Sequence, residues 1–274
     1  MSHYNAQGVA DARILHAIST VKKTHGIVLE VVSDTALRKF GSNTDADTGA
    51  FETVWTGGGD ETYQTTNSID TLSSSNAADT QTIKLNGFTM SGSGLLTRVV
   101  QEVVVDGQNK VLLGTPLARV ERGFNISATD LLGDIYVYRD TTLTAGVPTD
   151  LAFNHLVIEA IYQQSHKCAF STDQNEFFFI TSFGATTLQG NNAHADFSLE
   201  TRKIEAVGLV FRNQLLMSAS RDGADVDRHL DPVIIVPNNY DVRMRAESDV
   251  NNIGVSADIG GYYFKINNYI SPDA

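Results

Sequence analysis

The chain has 274 residues, long enough to bury one large core or two smaller ones without help from metals or disulfides. Its 32 acidic against 20 basic side chains give a formal charge of -12, which on average repels phosphate backbones and argues against nonspecific nucleic-acid binding. A lone cysteine, Cys168, excludes an intrachain disulfide framework and fits folding in a reducing cytoplasm.

The opening stretch MSHYNAQGVADARILHAIST has no cationic segment leading into an apolar one, and no apolar run approaches ~20 residues; neither export nor membrane spanning is expected. Residues 9 to 25 predict a helix: Asp11 can cap it, Ile14, Leu15, Ile18 and Val21 recur at helical spacing, and Gly26 stops it. GIVLEVVS at 26 to 33 is rich in β-branched residues and predicts a strand, followed by a turn between Ser33 and Gly41. The polar, Gly-bounded GSNTDADTG at 41 to 49 predicts an exposed loop, with a boundary near residue 50.

From 51 to about 145 short apolar runs alternate with turn chemistry. TIKLNGFTM at 82 to 90 predicts a strand, and VVQEVVVDGQNKVLLG at 99 to 114 predicts a hairpin turning at Asp106-Gly107. DIYVYRD at 134 to 140 has apolar bulk on both sides, as expected of a strand covered on both faces. LTAGVPTDLAF at 143 to 153, with Gly146 and Pro148, is the expected interdomain linker. Beyond it, EFFFITSFGA, AHADFSLETRK, DPVIIVP, YDVRMRAES, IGVSADIG and YYFKIN recur at the spacing of an antiparallel sandwich or jelly roll, with Val242, Met244 and Ala246 facing inward opposite Arg243, Arg245 and Glu247. Turns at Pro237-Asn238-Asn239 and Asn251-Asn252 would join successive hairpins. The expectation is an all-β chain: an N-terminal helix and arm over 1–50, and two β-sandwich or jelly-roll-like antiparallel domains over 51–145 and 146–274.

Residues able to do chemistry are scattered. His166 and Cys168 form the only close His/Cys pair and lack further ligands at zinc spacing. Asp45, Asp47 and Gly49, and the carboxylates Asp222, Asp225 and Asp227, fall short of a calcium loop and read as solvated turns. SGSG at 91 to 94 lacks the strand-to-helix setting of a serine nucleophile, and GGG at 57 to 59 lacks the ending of a phosphate loop. His155, His166, His194 and His229 are each candidate general bases with no nucleophile or orienting acid beside them in sequence. Lys22 and Lys23, Arg38 and Lys39, Arg202 and Lys203, and the Arg243/Arg245 pair read as solvated faces. Trp55 and the run Phe177, Phe178, Phe179 invite a ligand-stacking reading, although three successive Phe on a strand must load both faces, as in a buried strand or a subunit interface. No catalytic residue, metal or cofactor is expected.

RKFGSNTDADTGAFETVWTGGGDETY at 38 to 63 resembles a family of structural proteins of tailed bacteriophages, common in marine and environmental phages, in which an FG-x-N-x-D-x-D-T-G segment leads into a Trp and a Gly-rich turn. Phe40, Gly41, Asn43, Asp45, Asp47, Thr48, Gly49, Trp55 and Gly57 fill those positions. LSSSNAADT at 72 to 80, TIKLNG at 82 to 87 and IIVPNNYDVRMRAESDVNNIGVSADIGGYYF at 234 to 264 resemble the family's later loop and strands. The resemblance implies a non-enzymatic virion component, assembled in the host cytoplasm: a capsid cement or decoration protein, a homotrimer, binding the major capsid protein or other virion proteins, with neither nucleic acid nor membrane as partner. The alternatives are a tail, neck or baseplate component and a host-glycan-binding module using Trp55 or exposed tyrosines, with an enzyme such as a glycan depolymerase as the rival from another class. Ile14, Leu15, Ile18, Val21, Trp55 and Phe178 are the candidate subunit-interface residues; the same helix stripe could equally pack on its own domain.

Overall fold

The computed structural model describes Ile14 and residues 16–24, 27–30, 36–188, 193–204, 210–220 and 226–269. Ile14 and residues 16–24 are helical; Leu15, His25 and Gly26 lie outside the described residues, as do the start of the expected helix and residues 31 to 35 of the expected strand and turn. In chain order the strands are β1 (Ile27–Glu30), β2 (Ala36–Ala46), β3 (Glu52–Thr53), β4 (Ile69–Ser74), β5 (Thr82–Met90), β6 (Leu96–Val104), β7 (Val111–Leu117), β8 (Arg119–Asn125), β9 (Ile135–Tyr138) and β10 (Leu143–Thr144). There follow β11 (Val147–Pro148), a 3-10 turn (Leu151–Phe153), β12 (Asn154–Glu159), β13 (Gln164–Ser165), β14 (Ala169–Ser171), β15 (Glu176–Thr187), β16 (His194–Lys203), β17 (Arg212–Ser220), β18 (Val226–Val236), β19 (Tyr240–Ser248) and β20 (Ile253–Tyr269). The protein is all-β with a short N-terminal helix.

Two five-stranded antiparallel sheets face each other. One runs β1-β20-β15-β18 with β2 also on β20; the other runs β14-β19-β16-β17 with β3 on β19. Alternate residues of both meet between them, Phe178, Ile180, Phe183 and Ile259 from the first against Phe170, Phe197, Leu199, Val242 and Met244 from the second. The inward set Val242, Met244 and Ala246 is buried as the alternation predicts. The helix lies on the far side of the first sheet, where Ile14, Ala17, Ile18 and Val21 pack on Phe177, Phe179 and Phe264. Its apolar stripe is therefore satisfied within the chain.

A third sheet, in the order β6-β5-β8-β13-β12-β9-β4-β7, is built from residues 69 to 165 and curls around its own core of Leu72, Leu85, Val137, Leu156 and Ile158. These sheets do not divide the chain at 50 and 145. β2 and β3 belong with the strands after residue 169, and β9 and β12, which flank the expected linker, pair with each other, so that linker is a loop within one sheet. The eight-stranded unit is an insertion in the sandwich.

Four local expectations change. The polar stretch from Gly41 to Ala46 is strand, because β20 offers it a partner over most of its length and its Asn43 is buried against Glu52. IGVSADIG and YYFKIN form one strand, β20; Gly261 carries it past the Phe179 carbonyl, where a Cβ would lie 2.2 Å from that oxygen. The turns at Asn239 and Asn252, both at positive φ, do not close hairpins: each passes the chain from one sandwich sheet to the other. Finally, β6 and β7 flank the Asp106-Gly107 turn without pairing in a ladder and form the two edges of the eight-stranded sheet. Gly107, at φ +53, is drawn away by hydrogen bonds to Asp79 and from Ser74, and the seam is bridged instead by the Gln101 carboxamide, which donates to Thr115 O (2.9 Å) and accepts from Thr115 N (3.0 Å).

Candidate functional site

The insertion meets the sandwich through charge. Alternation along β8 sends Arg119 and Glu121 out of the insertion's own core and toward the sandwich. Arg119 grips the fully buried Asp241 of β19 with two hydrogen bonds (2.9 and 3.0 Å), Arg202 of β16 adds a third (2.6 Å), and the Ser171 hydroxyl a fourth (2.7 Å). Burial alone would push the Asp241 carboxyl up, but the Arg119 and Arg202 guanidinium groups outweigh it and hold the carboxyl below its ordinary value. Arg202 also stacks between Tyr63 and Phe211, at 4.6 and 4.5 Å from their ring centres. Arg243 lies 3.8 Å from the Phe211 ring centre and binds Glu200 and Asp60.

A second line of the junction runs through lysines. Lys167 donates to Glu61 and to the carbonyls of Val120 and His155, and Lys39 donates to the Glu121 carbonyl. Burial brings the Lys39 ammonium down to about 8, with the nearby Glu121 charge opposing the shift. Glu121, pushed up by burial, takes hydrogen bonds from Ser171 N and Arg98, and Arg98 continues to Glu176.

Two clefts open beside this junction. One, of about 480 Å³, is lined by Tyr63, Gln64, Arg119, Arg202, Lys203 and the Ser91–Gly94 turn. The other, of about 710 Å³, lies between the outer face of β2, β20 and β15 and the β12–β13 turn, whose Tyr162 stacks on His166 (4.4 Å between ring centres), which in turn meets Phe40 (5.1 Å). His166 Nδ1 lies 3.2 Å from Glu159 Oε2, and Arg38 pairs with Asp258 through two hydrogen bonds (3.0 and 3.3 Å).

The residues singled out in the sequence fall mostly outside these clefts. Trp55 is 2% exposed, packed on Gly57 with its Nε1 bonded to Gly59 O, so it cannot serve as a stacking platform. Phe178 sits in the sandwich core against Phe170 (4.7 Å), and Phe177 and Phe179 lie under the helix. Ile14, Ile18 and Val21 join Phe177 there, while Leu15 lies outside the described residues; Phe178, between Phe177 and Phe179 on β15, packs into the core on the other side of the sheet, and Trp55 belongs to neither cluster. His155 is buried and held neutral, brought down to about 3 by burial and then by Lys167, Arg119 and Arg139, which leaves it no part as a base near neutral pH. His194 and His229 are exposed; Cys168 is buried in the sandwich core, its thiol pushed up by burial. Asp222 and Asp225 lie outside the described residues, and among those described no three His, Cys, Asp or Glu side chains converge as metal ligands. Lys39 and Arg243, read as solvated, are both 7% exposed, because each meets a carboxylate-bearing strand from a distant part of the chain. Arg119, Asp241, Tyr63 and Glu121 gave no signal in sequence beyond the polar residues alternating in β8.

No protein-family model matches the chain, and no curated protein is similar to it. Among solved structures, a chain from "Structure of infectious bursal disease virus Gx strain" aligns over 89% of this chain and 70% of its own length, at 8% identity and a TM-score of 0.20, a likeness that carries no argument about fold or role.

Proposed function

We propose that this protein is a non-enzymatic structural component of a tailed-phage particle, a homo-oligomeric cement or decoration subunit that binds the major capsid protein. The phage setting rests on the resemblance of residues 38–63 and 234–264 to that family. The assembly role rests on one surface. Val100, Val104 and Leu112 are 54%, 59% and 73% exposed on the two edge strands of the eight-stranded sheet. Counting along antiparallel β6 and β7 from the Gln101–Thr115 contact sets Val104 opposite Leu112, Glu102 opposite Gly114 and Val100 opposite Pro116, so exposed apolar side chains lie along the seam on either side of the exposed Glu102. Exposed apolar side chains gathered on the strands that flank an incompletely laddered seam are sites where another subunit packs, and covering each contributes at most roughly 1.5 to 3 kcal/mol, scaled by the area it still exposes. This reading puts the interface on β6 and β7 and not on the helix stripe, which packs within the chain.

Counting copies in purified particles by quantitative mass spectrometry tests the reading. Copies on the order of hundreds are expected; roughly six to eighteen, the numbers of axial tail and neck rings, would overturn the cement assignment. In solution, V104E combined with L112E should reduce the oligomer seen by light scattering to monomer while leaving the far-ultraviolet spectrum unchanged.

A further inference from the structure

We propose that the cleft between the β2–β20–β15 face and the β12–β13 turn is a binding groove for a neutral oligosaccharide. This goes beyond the assembly role and does not depend on it. The floor follows from register: Phe40, Asp258 and Gly184 stand abreast on three adjacent strands, and Ser42, Ser256 and Thr186 form the next outward rung. At ~4.8 Å between strands and ~6.8 Å between rungs, this is a platform of hydroxyls and one carboxylate, bordered by the bulkier Phe40, Arg38 and Leu188. Outward positions of a sandwich sheet more often carry long charged side chains, so the run of small residues leaves a recess about 710 Å³ in volume, within the range of small-ligand sites.

The wall comes from the insertion. Tyr162 is 52% exposed and Phe40 36% exposed, and the His166 ring is tilted against the first and edge-on to the second. Aromatic faces carry partial negative charge and attract the C–H face of a pyranose ring, while the rim of the same sugar needs hydrogen-bond partners that are planar and already fixed in place. Those partners are present: the Asp258 carboxylate is fixed by both Arg38 contacts, and the Glu159 carboxylate stands beside His166. The Arg38 and Asp258 charges cancel as a pair and the Glu159 carboxylate brings no positive charge, which selects against phosphate and other anions and leaves an uncharged chain of sugars as the fitting ligand.

Saturation-transfer NMR on the full-length protein with maltohexaose, chitohexaose and an α-1,6-mannohexaose tests the proposal. Transfer to the ring protons of at least one is expected, with Y162A weakening its affinity at least tenfold at unchanged melting temperature. S256L, which fills the floor from the opposite side, should do the same and serves if Y162A fails to fold. Transfer to none of the three, or transfer that survives both substitutions within twofold, overturns it. So does finding Tyr162 shielded only on self-assembly, which would make the cleft a protein contact.

Discussion

His155 gives the most direct check on the junction between insertion and sandwich. Its ring is 1% exposed. The Ser68 hydroxyl donates to Gln64 Oε1, so the Gln64 amide nitrogen faces the imidazole at 3.2 Å and donates to Nε2, leaving Nδ1–H to donate to the Thr62 carbonyl. That tautomer has no room for a second proton. With its ordinary value of 6.5 brought down to about 3, the unfolded chain binds the extra proton between those limits and the folded chain does not. Stability from this residue is therefore complete above pH 6.5 and is lost as pH falls toward 3, in total about 5 kcal/mol at 1.36 kcal/mol for each pH unit. Urea unfolding of the wild type and H155Q at steps from pH 7 to pH 4 measures it. The wild type should be the more stable at pH 7 and should lose that advantage with a slope of up to ~1.4 kcal/mol per pH unit. Parallel pH profiles for the two proteins, or an imidazole 15N titration with a midpoint near 6 in the folded state, would refute the reasoning.

D241N removes a buried charge while leaving Arg119 and Arg202 in place, and should cost about 3–5 kcal/mol in chemical unfolding; a loss under 1 kcal/mol would show that water already screens the pair. Q101L deletes both hydrogen bonds across the seam and should cost about 1–3 kcal/mol, with faster amide exchange at Thr115 as the specific sign; unchanged exchange there would mean the seam is held by packing alone. Cys168, buried and with its thiol pushed up, should react with a thiol reagent only as fast as the protein opens, so modification in a rapid initial phase under native conditions would contradict its placement in the core.

What could be read from sequence was whatever depends on neighbours along the chain. The inward row Val242, Met244 and Ala246, the covered β9 and the stripe Ile14, Ile18 and Val21 are periodic patterns, and periodicity survives any topology. Pairing decided the rest. The polar β2 looks like a loop until β20, more than 200 residues later, supplies a ladder, and the strands around Asp106-Gly107 look like a hairpin until β5 and β4 take up their edges. The ionic junction was illegible for the same reason: Arg119 with Asp241, and Lys39 with Glu121, join positions whose separation no local pattern records. Both clefts inherit that difficulty, since each is lined by residues from the insertion and from the sandwich together.

Buried ion pairs rarely add net stability, because the cost of taking both charges from water roughly offsets their attraction. What they do well is penalise any other arrangement, since a small shift leaves a charge buried without its partner. That asymmetry suits their position here. β2 places Phe40 and Ser42 on the floor of the larger cleft, and between Arg38 and Phe40 the inward-facing Lys39 reaches the Glu121 carbonyl on the insertion. Lys167, one residue beyond His166 of the wall, is fixed by Glu61 and by the carbonyls of Val120 and His155. Floor and wall are thus each anchored to the same junction by the residue next to the one that faces the cleft. Hydrophobic contact between the two units could have joined them as strongly, but its indifference to direction would have let the turn bearing Tyr162 slide over β2, and the width of the groove with it.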